Sequence, residues 1–62
     1  MSLPKDPYML LSYINTQLRD NFSSLSELCC SLGEDEALIK GTLETAGFIY
    51  DSADNRFVTK EN

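Results

Sequence analysis

The chain has 62 residues, of which 42% are apolar and 24% charged, with two prolines; such a composition excludes a disordered segment and builds one small globular domain. Ten acidic residues against five basic ones leave a net charge of −5, which excludes binding to a phosphate backbone by bulk charge. No apolar run approaches the roughly 20 residues of a membrane span, and the opening Met-Ser-Leu-Pro-Lys-Asp-Pro does not read as a signal peptide.

Asp6-Pro7 predicts a helix start: an aspartate caps free backbone N–H groups, and proline suits the first helical position, where its missing donor costs nothing. The helix is expected over 7–20. At about 100° per residue, Leu10, Leu11, Ile14 and Leu18 form one stripe, with Phe22 just beyond. Ser12, Asn15, Thr16 and Arg19 fall opposite. Tyr8, Met9 and Tyr13 lie outside the stripe, Met9 and Tyr13 on one flank and Tyr8 on the other. Either they close the margins of the core and pack on later elements, or they form an interaction patch.

Ser24-Leu25-Ser26-Glu27 is a capping box, Ser24 at the N-cap and Glu27 reaching back. The second helix, expected over 25–31, places Leu25, Leu28, Cys29 and Leu32 on one face and turns Cys30 outward. Gly33 is its expected stop. Glu34-Asp35 opens a third helix over 36–46, acidic groups being favoured at the positive end of its dipole. Leu38, Ile39, Leu43 and Ala46 are its expected buried face, and Gly47 its end.

The period then changes. Phe48-Ile49-Tyr50 and Arg56-Phe57-Val58-Thr59 read as strands, separated by the turn formers Asp51-Ser52-Ala53-Asp54-Asn55. The expected fold is mainly α with a C-terminal β-hairpin: a helix, a helix-turn-helix and a hairpin in a minimal winged-helix-like order. It is read as a single domain over 1–62, with residues 1–5 as an N-terminal arm and 60–62 as a tail.

Leu3-Pro4-Lys5-Asp6-Pro7, Met9-Leu10-Leu11-Ser12, Asn15, Leu18-Arg19-Asp20, Ser24-Leu25, Glu27-Leu28-Cys29, Tyr50-Asp51 and Asn55-Arg56-Phe57 resemble a group of small bacterial proteins, the domain of unknown function four-two-five-zero. The resemblance covers nearly the whole chain. It implies a bacterial source and a stand-alone small protein, and it carries neither an activity nor site residues.

Chemistry is sparsely represented. Cys29 and Cys30 are adjacent and the only cysteines; a bridge between neighbours closes a strained ring, so both are read as reduced thiols in a reducing cytosol. Zinc needs four Cys or His ligands, and the chain has no histidine. Asp51-Ser52-Ala53-Asp54-Asn55 fails the calcium-loop spacing and reads as a turn. The carboxylates Asp20, Glu34, Asp35 and Glu36 read as solvated, and a chain this small rarely forms a pocket of about 300 Å³ or more. No catalysis, metal or cofactor is expected.

A helix-turn-helix suggests DNA, whose test is the outward face of the third helix. That face carries Ala37, Lys40, Gly41, Glu44 and Glu36, a single cation among acids. A DNA-binding winged-helix transcription factor is therefore the disfavoured alternative, and no nucleic-acid partner is expected. The favoured reading is a non-catalytic protein-interaction module in the cytoplasm, with an unknown protein partner or a second copy and no membrane partner. Its candidate surface is Tyr8, Met9 and Tyr13, together with the small-residue stripe Ala37, Gly41 and Thr45. Gly41 is either merely tolerated in its helix or admits a close approach of another backbone.

Overall fold

In the computed structural model, which describes residues 3–60, α1 (Pro7–Asp20) begins where Asp6-Pro7 predicts. The Asp6 carboxylate accepts a hydrogen bond from the Tyr8 N–H at 3.3 Å, pairing a donor that the first turn leaves free. α2 (Leu25–Leu32) starts on Ser24, whose hydroxyl accepts from the Glu27 N–H at 3.1 Å. The return half of the capping box differs from expectation: the Glu27 carboxylate accepts from the Ser23 hydroxyl. That hydroxyl, on a rotatable side chain one residue upstream, comes to the carboxylate. Gly33 ends α2 at φ +70°, a backbone region open to glycine.

α3 (Glu36–Thr45) is capped by Asp35, whose carboxylate accepts from the Ala37 N–H at 3.0 Å. It stops one residue earlier than predicted. Ala46 is its C-cap and is half-buried rather than a core residue. Gly47, at φ +96°, turns the chain into β1 (Phe48–Asp51). β2 (Arg56–Thr59) returns antiparallel, with Ile49 opposite Val58 and Tyr50 opposite Phe57. Asp51 belongs to β1 rather than to the loop, and its carboxylate accepts from the N–H groups of Ala53 and Asp54 at 3.0 and 3.4 Å. These bonds fold the turn, in which Asn55 holds φ +55°. The architecture is thus three helices and a hairpin, mainly α.

The core is Leu10, Ile14 and Leu18 of α1, Leu25, Leu28 and Cys29 of α2, Ile39 and Leu43 of α3, and Phe57 of β2. Leu11, Phe22 and Leu32 are half-buried at its margin, and Leu3 of the expected arm packs against it as well. Cys29 is buried and Cys30 exposed, as the phase of α2 requires. Leu38 corrects the sequence reading: it is 65% exposed, not buried. Ile39 and Leu43, one turn apart, set the inward direction of α3, and Leu38 precedes Ile39 by about 100° on the side away from Leu43. Residues 1 and 2 of the arm and 61 and 62 of the tail lie outside the described residues. Lys60 continues the ladder, its N–H donating to the Gly47 carbonyl at 2.8 Å. No helix among the described residues is long and apolar enough to cross a membrane.

Candidate interaction surface

Two regions collect the side chains that the core does not use. The first is a polar seam between α1 and the hairpin. Asn15, placed on the solvent face by periodicity, is half-buried and reaches β2. Its Nδ2 donates to the Phe57 carbonyl at 3.1 Å, and its Oδ1 accepts from the Phe57 N–H at 2.7 Å. One side-chain amide thereby pairs both backbone groups of a strand residue, as a neighbouring strand would. Asn55 Nδ2 donates to the carbonyls of Leu18, in the last turn of α1, and Phe22, two residues past its end, at 3.2 and 3.0 Å. Its Oδ1 accepts from the Tyr50 hydroxyl at 2.6 Å, and that hydroxyl accepts from the Leu25 N–H at 3.3 Å. Asn55 and Tyr50 thus connect the turn, α1 and the start of α2. Several residues that carry the family resemblance (Asn15, Tyr50, Asn55 and Phe57) have a structural task here.

The second region is the flank where the start of α1 meets α3. Tyr8 is 63% exposed, with its ring edge-on to Phe48 at a centroid distance of 5.8 Å. Beside it an open groove of about 480 Å³ is lined by Pro7, Thr42, Thr45 and Ala46. A second open groove, about 360 Å³, lies against Leu3, Pro4, Leu38 and Thr42. Thr42 lines both, so Leu38 and Tyr8 belong to one continuous surface. Leu38 is the member that sequence reasoning missed; its angular offset from Ile39 and Leu43 was the signal available.

The six candidate residues separate. Tyr8 and Thr45 share a groove. Met9 is 62% exposed, while Tyr13 is half-buried and packed against the core. Ala37 and Gly41 are exposed along α3, and the Thr45 hydroxyl donates to the Gly41 carbonyl at 2.9 Å. A Cβ at Gly41 would meet nothing within 4 Å inside the molecule.

A third open groove, about 710 Å³, runs between α1 and the hairpin turn past Ser12, Asn15, Arg19, Asp54 and Arg56. All three grooves exceed the size expected of so small a chain. The cause is geometric: each is a valley between elements, open to solvent, rather than an enclosed cavity.

Two ion pairs form among the described residues. Lys40 pairs with Glu36 at 3.2 Å and stands 6.0 Å from the Tyr50 ring centroid. The Ser26 hydroxyl donates to Glu36 at 2.9 Å and, with Lys40, holds its carboxyl below the usual glutamate range. Arg19 pairs with Asp20 at 2.9 Å, and that hydrogen bond lowers the Asp20 pKa. Burial pushes the Cys29 thiol up, and Glu36, Glu34 and Asp35 push it further, the opposite of what activates a nucleophilic thiol. Among the described residues no group of three or more His, Cys, Asp or Glu side chains could hold a metal ion.

These features define a class before a family: a mainly α domain with a C-terminal hairpin, in which half-buried polar side chains tie elements together. The chain belongs to the DUF4250 family, a domain of unknown function, whose family model matches residues 4–57. No curated protein and no solved structure matches it.

Proposed function

We propose that the chain is a non-catalytic protein-interaction module that receives a partner on the flank between α1 and α3. The observation that carries this reading is the exposure of Leu38 and Tyr8, 65% and 63%, beside grooves joined at Thr42. Large apolar side chains rimming a groove gain most from being covered. Nucleic acid is not the partner in this reading. The outward face of α3 offers Ala37, Gly41 and Glu44, and its one lysine is paired with Glu36.

A photoreactive phenylalanine analogue at Leu38, introduced in the native host, tests the reading. A discrete protein adduct is expected at position 38 and none at Ser52, which is exposed on the turn. Equal labelling at both positions, or none at 38, contradicts it.

A further inference from the structure

The two edges of the hairpin differ, and the parity of the ladder says how. Lys60 donates to Gly47, so the pairs Gly47–Lys60, Ile49–Val58 and Asp51–Arg56 exchange the bonds between β1 and β2. Phe48 and Tyr50 therefore point their N–H and C=O groups away from β2, just as Phe57 points its own away from β1. Phe57 is paired by Asn15. Among the described residues no group reaches the outward N–H or C=O of Phe48 or Tyr50. At its centre, Phe57, the edge of β2 is closed, with only the outward groups of Thr59 at its end unpaired among the described residues; along β1 neither Phe48 nor Tyr50 has its outward groups paired.

We propose that the open edge of β1 binds a second copy of this chain, β1 against β1, antiparallel about a twofold axis at Ile49. The parity fits self-pairing. With Ile49 opposite the second copy's Ile49, Phe48 falls opposite Tyr50 and Tyr50 opposite Phe48, so the residues with free groups meet and exchange both bonds. The result is one sheet in the order β2–β1–β1–β2, an isologous contact.

The side chains fit the same register. Ile49 is 36% exposed and Val58 half-buried; both lie on the face opposite Tyr50 and Phe57, since side chains alternate along a strand. Val58, Ile49 and their counterparts then form one apolar row across the sheet. The charges are complementary: Asp51 falls opposite Gly47 of the second copy, between Arg56 on its own hairpin and Lys60 on the other, so no like charges stand opposite each other. Tyr8, edge-on to Phe48, extends the apolar contact at each end. This surface meets the flank at Tyr8 but does not use Leu38, and the strand pairing stands without the flank reading.

So small a contact predicts a weak dimer, with Kd between about 10 µM and 1 mM. Sedimentation equilibrium from micromolar to millimolar protein measures it. Ile49→Lys, which places two ammonium groups side by side at the axis, should weaken association about tenfold or more. Methylation of the Tyr50 backbone nitrogen in a synthetic chain should do the same while leaving every side chain in place. Leu38→Glu should leave self-association unchanged, which distinguishes this proposal from the flank reading. Amide exchange adds a local readout: the Phe48 and Tyr50 N–H groups should slow as protein concentration rises, and those of Ile49 and Asp51 should not. A monomer at 1 mM, or a dimer insensitive to both Ile49→Lys and Tyr50 N-methylation, overturns the proposal. So does a dimer lost with Leu38→Glu but kept with Ile49→Lys.

Discussion

β2 and β1 are strands of equal length in one hairpin, yet the centre of the β2 edge, at Phe57, is paired by a side chain and the β1 edge is not. Beside β2, the Asn15 amide takes both free groups of Phe57, and Asn55 pins the turn to a last-turn carbonyl of α1 and to the Phe22 carbonyl just past its end. Beside β1, the outward backbone groups of Phe48 and Tyr50 have no partner among the described residues, and Ile49 is turned toward solvent. The helices repeat the contrast: α1 meets the hairpin through half-buried hydrogen bonds, whereas at the α1–α3 flank Tyr8 and Leu38 stand exposed over open grooves. In a chain of 62 residues, which hides only about 60% of its unfolded surface, polar side chains at the seam supply order that a larger core would otherwise supply. The remaining surface is left free for contact.

The sharpest way to break this contrast is Asn55→Ala. It removes the donor to Leu18 and Phe22 and the acceptor for Tyr50, and it leaves alanine at φ +55°. The expected loss is about 2–4 kcal/mol in urea unfolding. Asn55→Gly separates the terms, because glycine restores the backbone freedom but not the bonds; it should recover about 1 kcal/mol of the loss. A loss under about 0.5 kcal/mol in the alanine variant would mean that water replaces the amide and the seam is not a tie.

Asn15→Ala comes next. It leaves the Phe57 N–H and carbonyl with no protein partner, at an expected cost of about 1–3 kcal/mol. It also opens the β2 edge, so the two edges should become alike in amide exchange.

The smallest effect is a gain on the free surface. Gly41→Ala adds a methyl group where nothing lies within 4 Å and removes a helical glycine, so thermal unfolding should show about 0.5–1 kcal/mol of added stability. A loss would show that α3 is held more closely than the open surface implies.

What was legible in the sequence follows the range of each interaction. Asp6, Ser24 and Asp35 act on N–H groups two or three residues away, and Gly33 and Gly47 set their own backbone angles. Such features are written locally, so the helix starts and the hairpin could be read directly. The seam could not. Asn15 bonds a residue 42 positions along the chain, and on a helical projection it is one polar residue among several. Asn55 reads as a turn former, which it is, and nothing nearby signals that its amide also closes α1. Leu38 shows the same limit from the apolar side: hydrophobicity alone did not say which of two adjacent residues, Leu38 or Ile39, faces inward. The exposure of Tyr8 and Met9 was legible, because the α1 stripe does not use them. For Tyr13 the sequence left two readings open, and the structure places it at the core margin, one of the two.

Native-state amide exchange on the dilute protein tests the contrast most directly. The account predicts that the Phe57 N–H, held by Asn15, exchanges as slowly as the Ile49 N–H, which faces β2, both near the rate set by global unfolding. The Phe48 and Tyr50 N–H groups in the same sample should exchange far faster. Equal exchange at Phe57, Phe48 and Tyr50 would show that the two edges are equally open and would contradict the account.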